Sequence, residues 1–480
     1  MLETAPLYHQ LADHIHSLVR AGTLRAGDRV PSVRRLSNQQ GVSVSTVLQA
    51  YQRLEAIGVI EARPQSGYYV KRTPAAVDEP AASRPPQRAL TPDVNDLADA
   101  VLAYAMDPKF VAFGSGCPAP ELFPLERLRR TMSSLALRDR DSLGRYGLPP
   151  GTDKFRRAVA RRALDWGCRI DYRNMVTTTG CMEAVNLCLR AVTKPGDLVA
   201  LESPTYYGFL QILQTLGLRA LEIPTHPRTG ISLDALELAL AEHPVKAVLV
   251  MPNVSNPIGA SMSDPAKRRL VELLAAKNVP LIEDHIYADL HFDNPSPRAA
   301  KAFDRNGNVM LCGSFSKSMS PGLKAGWIEP GRWRDRVRML KWASSGGSNE
   351  LVELTLAEVL ESGGYERSLR PLRRRFESHV DAARGVIAEC FPRGTRVTRP
   401  SGAFILWLEL PKGCDSVALF EKLIPRGITI GPGPMFSASA RYRNCVRLSL
   451  GQPWSPRQEQ ALREIGKLAR ELASKEAVEA

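Results

Sequence analysis

The sequence lacks the features that mark membrane, secreted and metal-binding proteins. Among its 480 residues no apolar run approaches the ~18 residues of a membrane helix, and the first residues, MLETAPLYHQ, lack the apolar stretch of a signal peptide. The eight cysteines include no C-x-x-C pair, and His14 and His16 have a spacing that does not share a helix face. We therefore expect a soluble, cytoplasmic protein with free thiols, no membrane segment and no metal site.

Length and charge set further bounds. A chain of 480 residues is too long for one hydrophobic core, so two or three domains are expected. The formal net charge of +14 favours solubility and permits a polyanionic partner. No internal repeat is visible.

The stretch from Ser314 to Trp327 carries the clearest chemical pattern. It follows an apolar run, Val309 to Cys312, that predicts a short buried strand. Lys317 comes just beyond that strand, beside the hydroxyls of Ser314 and Ser316, and Lys324 follows in the same loop. Such a loop suits an aldehyde cofactor with a phosphate, because the lysine bonds the aldehyde while hydroxyls and a second cation hold the phosphate. The alternative is a polar loop with two surface lysines.

Two other apolar runs also end in polar residues. One is followed by Asn256, and the other ends in Asp284 with Tyr287 three residues later. Since ligands of open α/β sheets bind outside the carboxyl ends of the strands, these side chains converge with Lys317 if the strands are neighbours. Asp284 can then pair with a protonated pyridine nitrogen, while Asn256 and Tyr287 donate hydrogen bonds to the phenolic oxygen of the ring.

In order and spacing these motifs resemble the fold type I pyridoxal-phosphate enzymes of the aspartate aminotransferase superfamily. The resemblance implies pyridoxal 5'-phosphate as the cofactor and Lys317 as its Schiff-base lysine. The long alternation of helix and strand predicts an α/β fold with a doubly wound, mostly parallel sheet, followed by a small C-terminal α+β domain.

The remaining cofactor positions lie upstream. MVTTTGCMEAV predicts a strand, a turn at Gly180 and a helix, so the free N–H groups of Cys181 and Met182 would face a phosphate. The resemblance places Tyr206 on the pyridine ring, with ordinary core packing as the alternative. It also makes Tyr146, in RYGLPPG, the tyrosine that reaches the partner subunit's phosphate, which implies a homodimer, arranged head to tail.

Two cations complete the predicted site. Arg447, in CVRLSLG, matches the arginine that binds a substrate carboxylate as a bidentate pair. Lys324 departs from the superfamily, where arginine is more frequent, because lysine binds phosphate as a point charge without the arginine fork.

Residues 1–72 have a different pattern. Leu7, Leu11 and Ile15 define an amphipathic helix, a second short helix is expected with Ser32 as its N-cap, and a third starts near Ser43. VIEARPQSGYYV then alternates about a turn containing Gly67, as in a hairpin. Three helices and a hairpin predict a winged helix-turn-helix.

The geometry of that motif predicts contacts with double-stranded DNA. The N-terminal side chains of a recognition helix reach base edges, and its flanks reach phosphates. The predicted readers are Ser43, Ser45, Thr46 and Gln49, and the predicted backbone contacts are Arg29, Arg34, Arg35, Arg63 and Gly67 in the wing. The segment is similar to the GntR family of bacterial regulators, although Val44 stands where many relatives carry arginine, so base readout there is apolar or absent.

Composition divides the rest of the chain. Residues 73–92 are proline-rich without periodicity and predict a linker. Residues 93–480 form the predicted cofactor domain, with a large part over about 115–345 and a small part over about 350–480. Winged helix, linker and aminotransferase-like domain in this order resemble the MocR subgroup of the GntR family.

Two functions follow from these motifs. The subgroup implies a transcription regulator whose cofactor domain senses pyridoxal phosphate or an amino compound. The retained lysine, aspartate, tyrosine and arginine equally suit an aminotransferase with an accessory winged-helix domain. A third hypothesis is a scaffold that binds no cofactor, and the intact Lys317 disfavours it.

Overall fold

The computed structural model describes residues 6–20, 23–24, 27–56, 59–63, 66–70, 77–293 and 296–479. The chain divides into two compact units, Met1–Ala76 (unit 1) and Val77–Ala480 (unit 2). Residues 71–76, which contain the start of the predicted linker at residue 73, lie outside the described residues. Within the described ranges, no helix combines the length and the apolarity that crossing a membrane requires.

The described residues of unit 1 form three helices and a hairpin. Its elements are α1 (Leu7–Arg20), α2 (Val33–Gln40), α3 (Val44–Ala56), β1 (Ile60–Arg63) and β2 (Gly67–Val70), and the two strands pair antiparallel. The Ser32 side chain accepts a hydrogen bond from the Arg35 N–H, which confirms the predicted N-cap. Leu11, Ile15 and Val47 belong to a small buried core between the helices. The predicted winged helix-turn-helix is therefore observed.

Unit 2 contains the remaining elements. Its described helices are α4 (Asn95–Leu102), α5 (Leu125–Arg138), α6 (Asp153–Arg162), α7 (Cys181–Val192), α8 (Tyr207–Thr215), α9 (Leu233–Glu242), α10 (Asp264–Ala276), α11 (Arg334–Ser345), α12 (Glu350–Glu361), α13 (Gly364–Cys390), α14 (Ser416–Leu423) and α15 (Pro456–Glu479). Its described strands are β3 (Val111–Ala112), β4 (Val176–Thr178), β5 (Leu198–Ser203), β6 (Arg219–His226), β7 (Gly230–Ile231), β8 (Val245–Val250), β9 (Leu281–Asp284), β10 (Val309–Ser314), β11 (Gly326–Glu329), β12 (Arg396–Val397), β13 (Ile405–Glu409), β14 (Ile428–Thr429), β15 (Gly431–Pro432) and β16 (Cys445–Ser449).

The large sheet positions the predicted site. Its strand order is β4-β11-β10-β9-β8-β5-β6-β7, and β10, β9, β8, β5 and β6 run parallel. β5, β9 and β10 are buried along their whole length, and each begins with apolar residues and ends in a polar one, as expected of strands in the interior of a parallel sheet. The three strands that precede Asn256, Asp284 and Lys317 are β8, β9 and β10, which are adjacent in the sheet. The predicted mostly parallel α/β sheet is therefore confirmed.

The C-terminal part forms a second, antiparallel sheet in the order β12-β13-β16-β15. Two features cross the boundaries expected from the sequence. β3, from residues 111–112, pairs in parallel with β14 beside this small sheet. α12, at the start of the predicted small part, packs against α5 and α6. Both arrangements depend on contacts between residues hundreds of positions apart, which local patterns do not contain.

The proline-rich segment is anchored from residue 77 onward. The Val397 N–H donates to the Asp78 carbonyl oxygen at 2.8 Å, and Glu79 pairs with Arg228. Further along, the N–H groups of Leu90 and Ala220 each donate to the other residue's carbonyl oxygen, at 2.9 and 2.7 Å. The later part of the linker predicted for residues 73–92 is therefore not a free segment, because its backbone is hydrogen-bonded to the rest of unit 2.

Candidate functional site

Lys317 lies in the loop after β10 with its amine turned inward. Its Nζ donates to the Gly116 carbonyl oxygen at 2.6 Å. Burial lowers the pKa of Lys317 below its ordinary value, and the positive charges of Arg447 and Lys324 act in the same direction. A lowered pKa increases the fraction of neutral amine, which is the nucleophilic form.

Asp284 ends the neighbouring strand. Residues Cys312 and Asp284 are register partners in β10 and β9, so the carboxylate lies one strand away from the Lys317 loop. Its Oδ1 accepts hydrogen bonds from the Ile286 N–H at 2.8 Å and from the Cys181 thiol at 3.3 Å. Burial raises the pKa of Asp284 to about 6. A cation placed against this carboxylate would therefore be bound in a medium with little screening.

Tyr287 and Asn256 contribute buried polar atoms. Tyr287 is 4% exposed, and a Cβ at Gly116 would lie 3.7 Å from its hydroxyl. Asn256 is also buried, and its Oδ1 has no hydrogen-bond partner within the described part of the chain. A buried amide atom without a partner is costly unless a ligand satisfies it. The unpartnered oxygen needs a hydrogen-bond donor, whereas the phenolic oxygen of a bound cofactor would accept from the Asn256 Nδ2–H.

The start of α7 forms an open cradle. Gly180 precedes the helix with a φ of 117°, and a Cβ added there would meet no atom within 4 Å. Ser314 pairs with Gly326 across β10 and β11, and a Cβ at Gly326 would lie 2.7 Å from the Gly180 carbonyl carbon. The hydroxyls of Ser314 and Ser316, 3.3 Å apart, therefore belong to the strand end that adjoins the free N–H groups of Cys181 and Met182. This arrangement fits a phosphate.

Tyr206 lies beside the same cradle. A Cβ at Gly208 would lie 2.5 Å from Tyr206 Cε1 and 2.9 Å from Met182 Cε, so the tyrosine ring and the first turn of α7 are neighbours. Burial raises the pKa of Tyr206 well above its ordinary value. The ring therefore stays neutral, as an aromatic platform requires.

Arg447 projects from β16 into a fully buried position. Its Nη2 donates to the Gly114 carbonyl oxygen, and its Nε has no partner within the described residues. The guanidinium carbon lies 5.0 Å from the centroid of the Phe436 ring, an attractive cation–π geometry. A buried guanidinium with an unused donor fits an incoming carboxylate.

The sequence reasoning missed one segment of the site. Gly114 and Gly116 both lie in FGSGCPAP, and their carbonyl oxygens accept from Arg447 and Lys317. A side chain at Gly116 would project toward the Tyr287 hydroxyl and Arg447. Two glycines around a serine are a visible signal, but their role appears only when the two distant cations are placed against them.

Two predicted residues lie outside this buried group. Tyr146 is 89% exposed and so is not part of the buried pocket of its own chain. Lys324 is exposed as well, with a φ of 48°. Their predicted contacts with a phosphate, one of them in a partner subunit, remain predictions.

Most of the side chains predicted to contact DNA are exposed on unit 1. The Ser43 hydroxyl accepts from the Thr46 N–H at 3.1 Å and lies 2.7 Å from the Ser45 hydroxyl, so it caps α3. Ser45 and Gln49 are exposed on α3, and the arginines predicted to contact phosphates are also exposed: Arg29, Arg34, Arg35 and Arg63.

Two of those arginines contact the hairpin. The guanidinium of Arg29 would lie 3.3 Å from a Cβ at Gly67, so it packs on the turn. Arg63 pairs with Glu61 at 2.8 Å and stacks over Tyr69 at 4.4 Å from the ring centroid. Since exposed ion pairs contribute little, Arg63 remains available for another anion.

Comparison with protein families defines the class of both units. Residues 108–455 match the family described as aminotransferase class I and II, and residues 7–70 match the bacterial regulatory proteins of the gntR family. The chain therefore belongs to the GntR regulators that carry an aminotransferase class I and II domain, the architecture of the MocR subgroup. The cofactor that this family implies is pyridoxal 5'-phosphate, and the buried amine, the buried carboxylate and the open helix terminus fit it.

Full-length relatives share both units. The chain is 38% identical to the Escherichia coli K12 protein named uncharacterized HTH-type transcriptional regulator YjiR, over 96% of this chain and 98% of the relative. It is also 38% identical to the regulator YdcR of the same organism, over 97% and 99%. Among solved structures, LysN, an alpha-aminoadipate aminotransferase from Thermus thermophilus, is 26% identical with a TM-score of 0.72, covering 78% of this chain and 95% of that one.

Proposed function

We propose that the protein is a cytoplasmic, DNA-binding transcription regulator whose aminotransferase-like unit binds pyridoxal 5'-phosphate at Lys317 and senses the cofactor or an amino compound. The observation that carries this proposal is α3, whose exposed N-terminal half presents Ser45 and Gln49 above a buried core. An enzyme has no physical need for such a helix. The regulators to which the chain is similar over nearly its full length support the same assignment.

Each residue of the proposed pocket contacts a different part of the cofactor. Lys317 supplies the amine that bonds the aldehyde, and Asp284 pairs with the protonated ring nitrogen. Asn256 and Tyr287 bond the phenolic oxygen, and Tyr206 stacks on the ring. The phosphate is held by Gly180, Cys181, Met182, Ser314, Ser316 and Lys324. In a head-to-tail homodimer, Tyr146 of the second subunit also contacts this phosphate. When bound, the cofactor supplies an electrophilic carbon and an electron-withdrawing ring to a primary amine.

Arg447 defines the class of effector. A buried guanidinium with a free Nε binds a carboxylate as a charge-assisted pair, and the effector's amine must reach the carbon that Lys317 otherwise occupies. An amino acid meets both requirements. The cofactor itself, the other candidate effector, has no carboxylate and therefore makes no such use of Arg447.

The anchored segment after residue 77 supplies a route for coupling. Asp78 is bonded to Val397 in β12, whereas Ser83 is bonded to Thr225 in β6, so one segment is attached to both sheets. Closure of one sheet on the other around an effector would therefore move the chain that leads to unit 1. Such hinge closure biases DNA affinity by no more than the effector's differential affinity for the two conformations.

An aminotransferase with an accessory winged-helix unit is the second candidate. It is favoured by the retained set of Lys317, Asp284, Tyr287 and Arg447, and by the similarity to LysN. A regulator and an enzyme differ in turnover: a sensor holds its effector, whereas a transaminase releases products repeatedly.

The decisive experiment measures the visible spectrum and DNA binding of the same preparation. The full-length protein is titrated with pyridoxal phosphate, then with a panel of amino acids, beside its binding to its own upstream DNA. Borohydride reduction followed by peptide mapping should place the covalent adduct on Lys317, and an adduct on another lysine in Lys317→Ala would refute the assignment. If specific binding to the upstream DNA survives deletion of residues 1–72, DNA recognition has been assigned to the wrong unit.

A further inference from the structure

The DNA-facing half of α3 is uncharged. From Val44 to Gln52 the helix contains no Asp, Glu, Lys or Arg, and Arg53 is the first charged residue. Two large apolar side chains in this half are exposed, Val44 by 46% and Leu48 by 38%. They lie four residues apart and therefore form one stripe along the helix.

This stripe is not part of the core of unit 1. Val47, Ala50 and Leu54 are fully buried and attach α3 to the rest of the domain. Val44 and Leu48 lie beside the exposed polar pair Ser45 and Gln49, which occupies the next stripe. This stretch of α3 thus combines exposed apolar groups with hydrogen-bonding groups and contains no cation.

The chemistry of base edges interprets that combination. Guanine is read by bidentate arginine or lysine, adenine by glutamine or asparagine, and the 5-methyl group of thymine by apolar contact. The N-terminal half of α3 offers a glutamine for adenine and apolar side chains for thymine, and it offers no arginine or lysine for guanine. Two side chains also expose far less area than the ~800 Å² per partner of a stable protein interface, which disfavours a second protein as the occupant.

We infer that α3 reads A·T base pairs, with Val44 and Leu48 packed against thymine methyl groups and Gln49 bonded to an adenine. The inference rests on the DNA-binding function proposed above and adds the class of base pair. It makes Val44 and Leu48 residues that determine specificity, whereas arginine at the first position would favour guanine.

The test removes single methyl groups from DNA. Duplexes are first selected from a random pool with the full-length protein, and each thymine of a recovered site is then replaced by uracil, which lacks only the methyl group. Burial of one methyl is worth ~0.8 kcal/mol, so each contacted thymine should lose about fourfold in affinity on replacement. In Val44→Ala or Leu48→Ala, the affected thymine and its uracil counterpart should bind alike.

Controls separate this inference from the function beneath it. Leu7, 63% exposed on α1, provides a matched exposed apolar residue, and Leu7→Ala should keep the full response to uracil. Circular dichroism of each variant verifies that the helices persist. If selection enriches no sequence, DNA recognition itself fails. If sequences are enriched but no uracil replacement changes affinity, or if G·C pairs dominate both half-sites, the A·T readout is overturned while the regulator stands.

Discussion

The Ser83 N–H donates to the Thr225 carbonyl oxygen at 3.0 Å, and the Thr225 N–H donates in return to the Ser83 hydroxyl at 2.8 Å. The Ser83 hydroxyl also donates to the carbonyl oxygen of Ser203, the last residue of β5. Ser203 in turn shares a hydrogen bond of 2.7 Å with the Tyr442 hydroxyl in the loop before β16. Because Tyr206 follows Ser203 by three residues, the segment that contains Ser83 is bonded close in sequence to the residue predicted to stack on the cofactor ring.

Ser83→Ala should loosen this attachment. The change leaves the buried Thr225 N–H without its acceptor, which costs about 1 to 3 kcal/mol of unfolding free energy in unit 2. Thermal unfolding monitored by cofactor absorbance measures that loss. Ser134, an exposed serine of α5, is the control, and Ser134→Ala should change stability little. Equal stability of Ser83→Ala and Ser134→Ala would show that the segment is not held by this pair.

Lys324→Ala tests the phosphate contact. A charge-assisted hydrogen bond is worth about 1.5 to 3 kcal/mol, so its loss should weaken cofactor affinity at least about tenfold. Equilibrium titration of the cofactor measures this, with Lys324→Arg expected to retain affinity because it keeps the charge. Lys194→Ala removes another exposed lysine and should leave affinity unchanged. Unchanged affinity in Lys324→Ala would mean that the serines and the α7 terminus suffice.

Asp284 should give the cofactor-free protein a defined pH dependence. Its pKa is raised from 3.8 to about 6, so the unfolded chain releases this proton more readily, and stability falls as pH rises between those values. Above pH 6 the ionised, buried Asp284 lowers the unfolding free energy by about 3 kcal/mol. Asp284→Asn should therefore raise the unfolding free energy of the cofactor-free protein at pH 7.5, and do so less at pH 5.

The same substitution should act oppositely on the cofactor. A neutral amide cannot form an ion pair with a protonated ring nitrogen, so Asp284→Asn should weaken cofactor binding while it stabilises the empty fold. Denaturant unfolding with and without pyridoxal phosphate measures both effects. A variant destabilised at every pH without cofactor would contradict the assigned burial cost.

Residues placed by local sequence patterns were predictable, whereas residues placed by tertiary contacts were not. Lys317, Asp284 and Asn256 were predictable because each follows an apolar run, and parallel strands bring their carboxyl ends to one edge. The role of Gly114 and Gly116 was not, because their carbonyl oxygens become acceptors only when Arg447 and Lys317, far away in the sequence, lie against them. The docking of residues 77–92 was hidden for the same reason: prolines predict an extended chain, whereas its backbone bonds to Thr225 and Ala220 depend on tertiary contact.

Unit 1 allows phosphate contacts to be distinguished from base contacts. Arg34→Ala should weaken binding to all DNA sequences alike and reduce the salt slope by about one, since one phosphate contact is lost. Ser45→Ala should instead change which sequence binds best. Fluorescence anisotropy over a salt series measures both, and Arg305→Ala, an exposed arginine of unit 2, is the control. A change in sequence ranking by Arg34→Ala would place that arginine at a base edge.

The coupling of the two units gives the last prediction. If the proposed roles hold, an amino acid that displaces the Lys317 amine would bring its carboxylate to Arg447 on the small sheet. Closure around it would then move the segment that holds Asp78 and Ser83. A primary amine should therefore shift operator affinity by roughly 5 to 150-fold, the range of typical coupling free energies.

Lys317→Ala should remove that shift while basal operator affinity stays unchanged, because Lys317 belongs to unit 2 and contributes nothing to α3. Arg447→Lys should keep the response to amines without a carboxylate and lose the response to amino acids, since lysine lacks the bidentate fork. Operator titrations with the cofactor and a panel of amines supply the measurement. If none of them changes operator affinity while one is transaminated over many turnovers, the sensor assignment fails and the protein is an enzyme.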